Sequence, residues 1–294
     1  MLGFKNSLFS QSLSRGCVAR PARKTRLRCQ AINDLPTYKR EAAKLLVDKF
    51  ITSSSTLGLG SGELVNLVIA EVGERLASGQ LQSIKAVPSC NAAASSAAFH
   101  GVPLCTLDQL GKKVDVAFEE VDMIDMSQNA AVKGVNALPQ QPQILALREL
   151  AEQSSKYVLL VEADQVVDRL HGTLPLVIEG GEDWEEPAEE LDDIFLGDAE
   201  LWRRPMAGTA NPRGGDNPYV SPEGHNIVDV RFEGSFKLFG EEQTYQSIVE
   251  EINGVQGLIS HGLLLNMADA VIVASKITEP RVISLQRSNL VPAI

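Results

Sequence analysis

Apolar residues in the first half of the chain switch repeatedly between helical and strand-like spacing. Residues 39–50 carry Ala42, Leu45, Leu46 and Phe50 three or four positions apart, which predicts an amphipathic helix. Further helices are predicted at residues 63–77, 91–99 and 140–152, and strands at residues 56–57, 84–87, 103–106, 114–118 and 157–161. This alternation predicts a parallel sheet with helices on both faces, in which ligands bind at the carboxyl ends of the strands.

The second half of the chain is predicted to be richer in strands. We expect a helix that closes at residues 200–205, a strand–turn–strand at 211–232, a helix at 244–253, and strands at 257–264 and, last, 270–274. The fold class is therefore α/β: a parallel, doubly wound (Rossmann-like) sheet with a smaller α+β C-terminal domain. The α/β domain is expected at residues 34–175 and 255–294, and an acidic insertion with an α+β lid domain at 176–254.

Two segments have unusual charge. Residues 1–33 hold seven Lys or Arg residues, several serines and no acid, which is typical of an organelle transit peptide, with a disordered basic tail as the alternative. Residues 179–200 hold eleven acids and no Lys or Arg. This segment is either a solvated acidic loop with a short amphipathic helix or an element that docks a partner.

Composition narrows the possible functions. Without the seven basic residues of the leader, the chain has 20 basic and 38 acidic residues, so its general field disfavours nucleic acid and anionic membranes. The four cysteines form no CxxC pair and the four histidines are far apart in the sequence. We therefore expect no metal site, no cofactor and no disulfide framework.

A glycine-rich turn is the strongest candidate for a binding site. Gly58, Gly60 and Gly62 alternate with other residues between a predicted strand and a helix, and Ser61 lies among them. Such a turn presents backbone N–H groups and a helix N-terminus to a phosphate or a sugar oxygen. It is equally compatible with a strand–helix connection that needs glycine for its own conformation. Glu63, inside the turn, would repel a phosphate.

The order of the motifs resembles ribose-5-phosphate isomerase, type A. The family has a GxGTGST turn, a DGADE acidic turn and a KGGG loop followed by a helix with a catalytic glutamate. The matching pieces here are residues 58–64, 119–123 and 133–136 and the helix from residue 140, and GVQGLISHGLLL resembles the family's GVVxxGLF strand. The resemblance extends over residues 39–273. The leader and the acidic insertion suggest the divergent chloroplast branch of plants and algae, and hence the stroma.

The resemblance implies a reaction and a set of site residues. The reaction is the interconversion of ribose 5-phosphate and ribulose 5-phosphate through an enediolate, without a metal, by a homo-oligomer that binds a small sugar phosphate. The implied catalytic residues are Asp122, Lys133 and Glu119. The implied substrate-binding residues are Arg40, Gly58, Gly60, Ser61, Gly62 and Ser89. Apart from the resemblance, the acids of residues 119–125 would be an ordinary acidic loop, with Lys133 as their surface counter-ion.

Several positions depart from the family pattern. Glu119 replaces an aspartate, Val135 replaces a glycine of the KGGG loop, and Gln165 stands at the later phosphate-binding lysine. The base position falls on Pro142, which cannot abstract a proton. The alternative hypotheses are therefore a non-catalytic sugar-phosphate-binding or regulatory protein of the same fold, and a related transferase that acts on a less anionic substrate.

Overall fold

The protein is described from a computed structural model covering residues 36–111, 113–135, 144–181, 184–206 and 217–288. The predicted transit peptide, Pro142 and the start of the helix predicted at residue 140 lie outside these residues. None of the helices in the described part of the chain is long and apolar enough to cross a membrane. The same residues contain no group of three or more His, Cys, Asp or Glu side chains that could hold a metal ion.

A six-stranded sheet forms the centre of the molecule. Its strands are β1 (Thr56–Leu59), β2 (Lys85–Pro88), β3 (Val114–Glu120), β6 (Ser154–Glu162), β12 (Ala270–Ala274) and β13 (Arg281–Ser284). The order is β13-β12-β6-β3-β1-β2, and every pair is parallel except β12 with the edge strand β13. The run from Tyr157 to Val161 is fully buried, as expected of a central strand in a parallel sheet.

Four helices accompany this sheet: α1 (Thr37–Phe50), α2 (Glu63–Ala77), α3 (Asn91–His100) and α4 (Ile144–Gln153). The first three pack in sequence order, α1 against α2 and α2 against α3, while α4 packs against β3 and β6. Their apolar residues recur at helical spacing because one side of each helix is buried. In α2 this side includes Leu64, Val68 and Val72, all buried.

A second, antiparallel sheet has the order β10-β7-β9-β8. Its strands are β7 (His171–Ile178), β8 (Ala199–Arg203), β9 (Asn226–Ser235) and β10 (Leu258–His261). Helices α5 (Glu185–Ile194) and α6 (Tyr245–Asn253) contribute to the apolar core of this region, α5 through Leu191 and α6 through Ile248 and Ile252. The acidic segment therefore contains an amphipathic helix that buries its apolar side. The division into a core and a lid domain at residues 176–254 stays a prediction.

A third sheet brings the acidic turn and the lysine loop together. It consists of β4 (Met123–Asp125), β5 (Ala130–Val132) and β11 (Leu263–Leu265), in the order β11-β5-β4. β5 pairs antiparallel with both neighbours. This hairpin returns the chain to the carboxyl end of β3, so Lys133, directly after β5, lies beside the end of the parallel sheet.

The predicted fold class is confirmed, with local exceptions. Residues 200–205 do not close a helix: Ala199–Arg203 is the edge strand β8, paired with β9. Residues 103–106 form only an isolated bridge, between Leu104 and Ala86. Residues 257–264 contain two strands rather than one, and Ala270–Ala274 is followed by a further strand, β13. Each exception involves a short segment whose state depends on distant pairing partners.

Candidate active site

The glycine turn crosses the carboxyl end of β3 at very short range. The N–H of Gly60 donates to the carbonyl oxygen of Phe118 at 2.9 Å. A Cβ atom at Gly60 would lie 2.3 Å from Oε2 of Glu119, and one at Gly62 would lie 2.2 Å from Oε2 of Glu120. Gly62 also has φ +132°, in the region that favours glycine. Both glycines are therefore required by the close approach of two glutamate side chains.

Glu119 is the buried acid of the site. Its side chain is 1% exposed, and Oε1 accepts hydrogen bonds from the backbone N–H of Ser61 at 2.9 Å and from its hydroxyl at 3.3 Å. Oε2 has no hydrogen-bond partner among the described residues. Burial raises the pKa of this carboxyl group, while the positive charge of Lys133 opposes the shift.

Lys133 is buried as well, so it is not the surface counter-ion of an acidic loop. Its Nζ lies 3.0 Å from Oε1 of Glu119 and donates to the carbonyl oxygens of Ser61, at 3.0 Å, and Glu120. Burial lowers the pKa of Lys133, but the charges of Glu119, Asp122 and Glu120 and the hydrogen bond to Glu119 together outweigh burial, so the net shift is upward. The ammonium group therefore stays charged and ties β5 to the glycine turn.

Asp122 shapes the loop that carries the lysine. Its Oδ2 accepts the N–H groups of Gly134 at 2.6 Å and Val135 at 2.8 Å, and its own N–H donates to the carbonyl oxygen of Val132. Gly134 has φ +107°, whereas Val135 is not among the residues with positive φ. The valine in place of a family glycine is therefore compatible with this loop, because the strained position is Gly134.

Glu120 occupies the amino-terminal end of α2. Its Oε2 accepts the N–H of Leu64 at 2.6 Å, in the first turn of the helix, where N–H groups have no intrahelical acceptor. Burial raises the pKa of this carboxyl group, and the hydrogen bond from Leu64 opposes the shift. The position where an anion would meet the helix is thus filled by the chain's own carboxylate.

A second lysine lies near the same helix end. Nζ of Lys39 is 2.6 Å from Oε2 of Glu63 and 2.7 Å from Oε1 of Glu162, and the hydroxyl of Tyr38 donates to Oε2 of Glu162 at 2.7 Å. Burial lowers the pKa of Lys39, but the hydrogen bonds to the two carboxylates outweigh it, so the net shift is upward. Glu63 is therefore paired with Lys39 rather than pointing unopposed into the turn.

The remaining predicted residues lie around this centre with different roles. Gly58 is inside β1, where a Cβ atom would lie 2.7 Å from Cβ of Ala117, so this glycine serves strand packing. Ser89 is buried directly after β2, and its N–H donates to the carbonyl oxygen of Leu59 at 2.8 Å. Arg40 is half-buried on α1, next to Lys39. Gln165 accepts the N–H of Glu162 through its side-chain oxygen at 3.0 Å.

Four contributors to the site were not among the predicted site residues. Glu120, Lys39 and Glu162 form the contacts described above. The fourth, Arg204, donates from Nη2 to the carbonyl oxygen of Gly134 at 2.9 Å and is paired with Asp229. Arg204 thus links the antiparallel sheet to the lysine loop. The available signal was the pair Arg203–Arg204, which follows an acidic segment that holds no Lys or Arg.

The arrangement can bind and polarise a hydroxylated ligand. Asp122 and Lys133 are held by backbone and side-chain hydrogen bonds, so the loop they form is preorganised. A buried ammonium group next to a carboxyl group of raised pKa can stabilise developing negative charge and exchange a proton. Residues 136–143 lie outside the described structure, so the position of a base on the segment before α4 is not part of this geometry.

Comparison with known families gives one clear match. The family model described as ribose 5-phosphate isomerase A (phosphoriboisomerase A) matches residues 85–277. Ribose-5-phosphate isomerase A of Synechococcus sp. (strain WH7803) is 30% identical over 82% of this chain and 93% of its own length. The protein of the same name from Thermosynechococcus vestitus is 29% identical over 80% of this chain and 90% of its own.

Solved structures show the same fold. A ribose 5-phosphate isomerase from Plasmodium falciparum superposes with a TM-score of 0.72 at 21% identity, covering 84% of this chain and 98% of that one. A D-ribose-5-phosphate isomerase in complex with phospho-erythronic acid gives a TM-score of 0.69 at 25% identity, covering 84% and 97%. The fold similarity therefore includes nearly the whole length of both neighbours.

Proposed function

This chain belongs to the ribose 5-phosphate isomerase A family, and we propose that it binds a pentose or pentose phosphate beside its glycine turn and interconverts ribose 5-phosphate and ribulose 5-phosphate at a low rate. The observation that carries the proposal is the buried Lys133–Glu119 pair at the carboxyl end of β3, with Asp122 fixing the lysine loop. Support also comes from a family neighbour that was solved with phospho-erythronic acid.

The proposed reaction moves one proton between adjacent carbons. A base takes the proton from C2 of the open-chain aldose to give an enediolate, and the hydroxyl proton moves from O2 to O1. The base then returns its proton to C1 to give the ketose. Lys133, as a charged donor, would stabilise the negative oxygen of the enediolate. Because Pro142 cannot act as the base, Glu119 is the first carboxyl group to test for that role, since its pKa is raised and Oε2 has no partner among the described residues.

We expect turnover at least about 10²-fold below that of a relative with a glutamate at the base position. The test is a ribose 5-phosphate to ribulose 5-phosphate assay on protein lacking residues 1–30, with the Synechococcus relative measured in parallel. Pro142→Glu should raise the isomerisation rate part of the way to that of the relative, whereas Asp122→Asn should not raise it. A wild-type rate equal to that of the relative would contradict the expected loss, and Glu119→Gln would then identify the substitute base.

A specific observation favours a second function, that of a non-catalytic sugar-binding or regulatory protein. Both lysines at the site, Lys39 and Lys133, form ion pairs with carboxylates of the chain at 2.6–3.0 Å, which leaves less positive charge for a phosphate. Binding of ribose 5-phosphate without measurable turnover, followed by isothermal titration calorimetry, would support this function. Loss of that binding in Asp122→Asn would place the ligand at the same loop.

We propose further that the protein acts in the chloroplast stroma. The basic, acid-free composition of residues 1–33 supports a transit peptide. A fusion of residues 1–40 to a fluorescent reporter should enter plastids in plant cells. A reporter that remains in the cytosol would refute the assignment.

We also propose that the protein is a homo-oligomer, as its family resemblance implies. The antiparallel sheet ends at the edge strand β8, whose outer edge pairs with no named strand among the described residues and can pair with a second copy. Light scattering at micromolar concentration should give at least twice the mass of one chain, and a mass of one chain would contradict the proposal.

A further inference from the structure

The N–H groups of the glycine turn are directed at the protein's own carboxylates. Those of Ser61 and Leu64 donate to Glu119 and Glu120, at 2.9 Å and 2.6 Å, and that of Gly60 donates to a backbone carbonyl. A glycine turn followed by a 15-residue helix is otherwise a favourable place for an anion, because of its N–H groups and the helix dipole. In this chain an internal anion already holds that place.

The charges around the helix end add to this effect. Lys39 is paired with the carboxyl groups of Glu63 and Glu162, and Lys133 with that of Glu119. The carboxyl group of Glu120 accepts from the N–H of Leu64 and forms no ion pair among the described residues. Each lysine is within 3.0 Å of at least one carboxylate oxygen. An incoming phosphate would therefore meet excess negative charge and would have to displace Glu120 from the N–H of Leu64.

We propose that Glu120 is a specificity residue that takes the place of a substrate phosphate at the amino-terminal end of α2, so that this site gains no affinity from a phosphate group. The ligand class it selects is a pentose recognised by its hydroxyl groups, with ribose bound as well as ribose 5-phosphate. This inference rests on the proposed function in one respect, which is that a pentose binds beside the turn.

The contact geometry explains why one side chain can have this effect. Glu120 is the last residue of β3 and is half-buried, and its carboxylate lies so close to Cα of Gly62 that no side chain fits there. Its backbone carbonyl accepts from Lys133 while its side chain accepts from Leu64. Glu120 is thus fixed at both ends, and its carboxylate does not leave the helix end without breaking a charge-assisted hydrogen bond.

The test compares three ligands on three variants. Isothermal titration calorimetry is run with ribose 5-phosphate, ribose and inorganic phosphate on wild type, Glu120→Ala and Glu120→Gln. Glu233→Gln is the control, since Glu233 is exposed on β9 and its loss changes the net charge by the same amount as Glu120→Gln. Circular dichroism confirms that each variant is folded.

Wild type should bind ribose 5-phosphate and ribose with dissociation constants within about tenfold of each other. Glu120→Ala should bind ribose 5-phosphate at least about tenfold more tightly, as expected when a carboxylate close to a phosphate is removed. Its affinity for ribose should not change, and inorganic phosphate should now compete with ribose 5-phosphate. Glu120→Gln keeps an oxygen for the N–H of Leu64, so its gain should be smaller. Glu233→Gln should behave as wild type.

Two results would overturn the inference. One is wild type that binds ribose 5-phosphate more than about tenfold more tightly than ribose. The other is folded Glu120 variants without any gain in phosphate affinity. If Glu120→Ala does not fold, Glu120→Gln alone decides the question. A different result would refute the proposed function, namely wild type that shows neither turnover nor binding of any pentose. In that case Glu120→Ala should still gain affinity for inorganic phosphate, so the two failures are distinguishable.

Discussion

Lys133→Met is the substitution with the largest expected effect on stability. The lysine is buried, forms an ion pair with a fully buried glutamate and donates to two backbone carbonyls. Methionine has similar length but cannot replace any of these contacts, so Glu119 is left as an uncompensated buried acid. Breaking a buried ion pair in this way costs about 3–5 kcal/mol, which corresponds to a fall in Tm of about 6–20 °C at about 2–4 °C per kcal/mol.

The loss should depend on pH in a defined direction. Burial already raises the pKa of Glu119, and without Lys133 this pKa rises further. A carboxyl group whose folded-state pKa is raised contributes stability that is present below its unfolded pKa, about 4.3, and is lost as the pH rises through the folded value. The difference between wild type and Lys133→Met should therefore be larger at pH 8 than at pH 5.

Urea unfolding followed by circular dichroism at both pH values measures this effect. The double variant Glu119→Gln/Lys133→Met should recover about 1–3 kcal/mol of the loss, because the unpaired acid is removed. Lys44→Met, on the exposed side of α1, is the control and should change stability by less than about 0.5 kcal/mol. A loss below about 1 kcal/mol that does not vary with pH would refute the reasoning about the buried pair.

Two further predictions concern single contacts. Asp122→Asn should lower the free energy of unfolding by about 1–2 kcal/mol, because the N–H groups of Gly134 and Val135 lose a charged acceptor; urea unfolding measures this, and an unchanged midpoint would contradict it. His261 is fully buried, and burial lowers the pKa of its ring well below the usual value. Below about pH 6.5 the unfolded chain therefore takes up a proton at this residue that the folded chain does not, so the free energy of unfolding falls as the pH falls. His261→Leu should reduce this fall by up to about 1.4 kcal/mol per pH unit, and an equal dependence of the free energy of unfolding on pH between pH 7 and pH 5 in both proteins would count against this.

The spacing of apolar residues along the chain was sufficient to predict the central helices and strands of the fold. The helix predicted at residues 39–50 is α1, and the strand predicted at residues 157–161 lies within β6, because both patterns are long enough to decide the element type locally. Residues 200–205 were predicted to close a helix with basic residues near its C-terminus, but residues 199–203 pair with β9 and form a strand. Such short segments take the state that their tertiary partner imposes.

The site was predicted at the level of motifs but not of contacts. Lys133 and Glu119 were identified, and the structure pairs them at 3.0 Å. Glu63 was expected to repel an anion, yet its carboxylate is paired with Lys39, and it is Glu120 that reaches the helix end. Glu120 reaches the helix end because β1 and β3 pair in parallel, which brings residues almost sixty positions apart in the sequence within hydrogen-bonding distance. The local sequence does not predict how these two strands pair.

The position of β12 in the central sheet has a consequence for how the chain acquires its structure. β12 inserts between β6 and β13, pairing Ala270 with Val158 and Ala274 with Glu162, although the partners are more than about a hundred residues apart. Until that late segment is available, β6 presents an apolar, unpaired edge of the kind that recruits other chains. Nascent or truncated chains that end before residue 270 should therefore require chaperone protection to remain in solution.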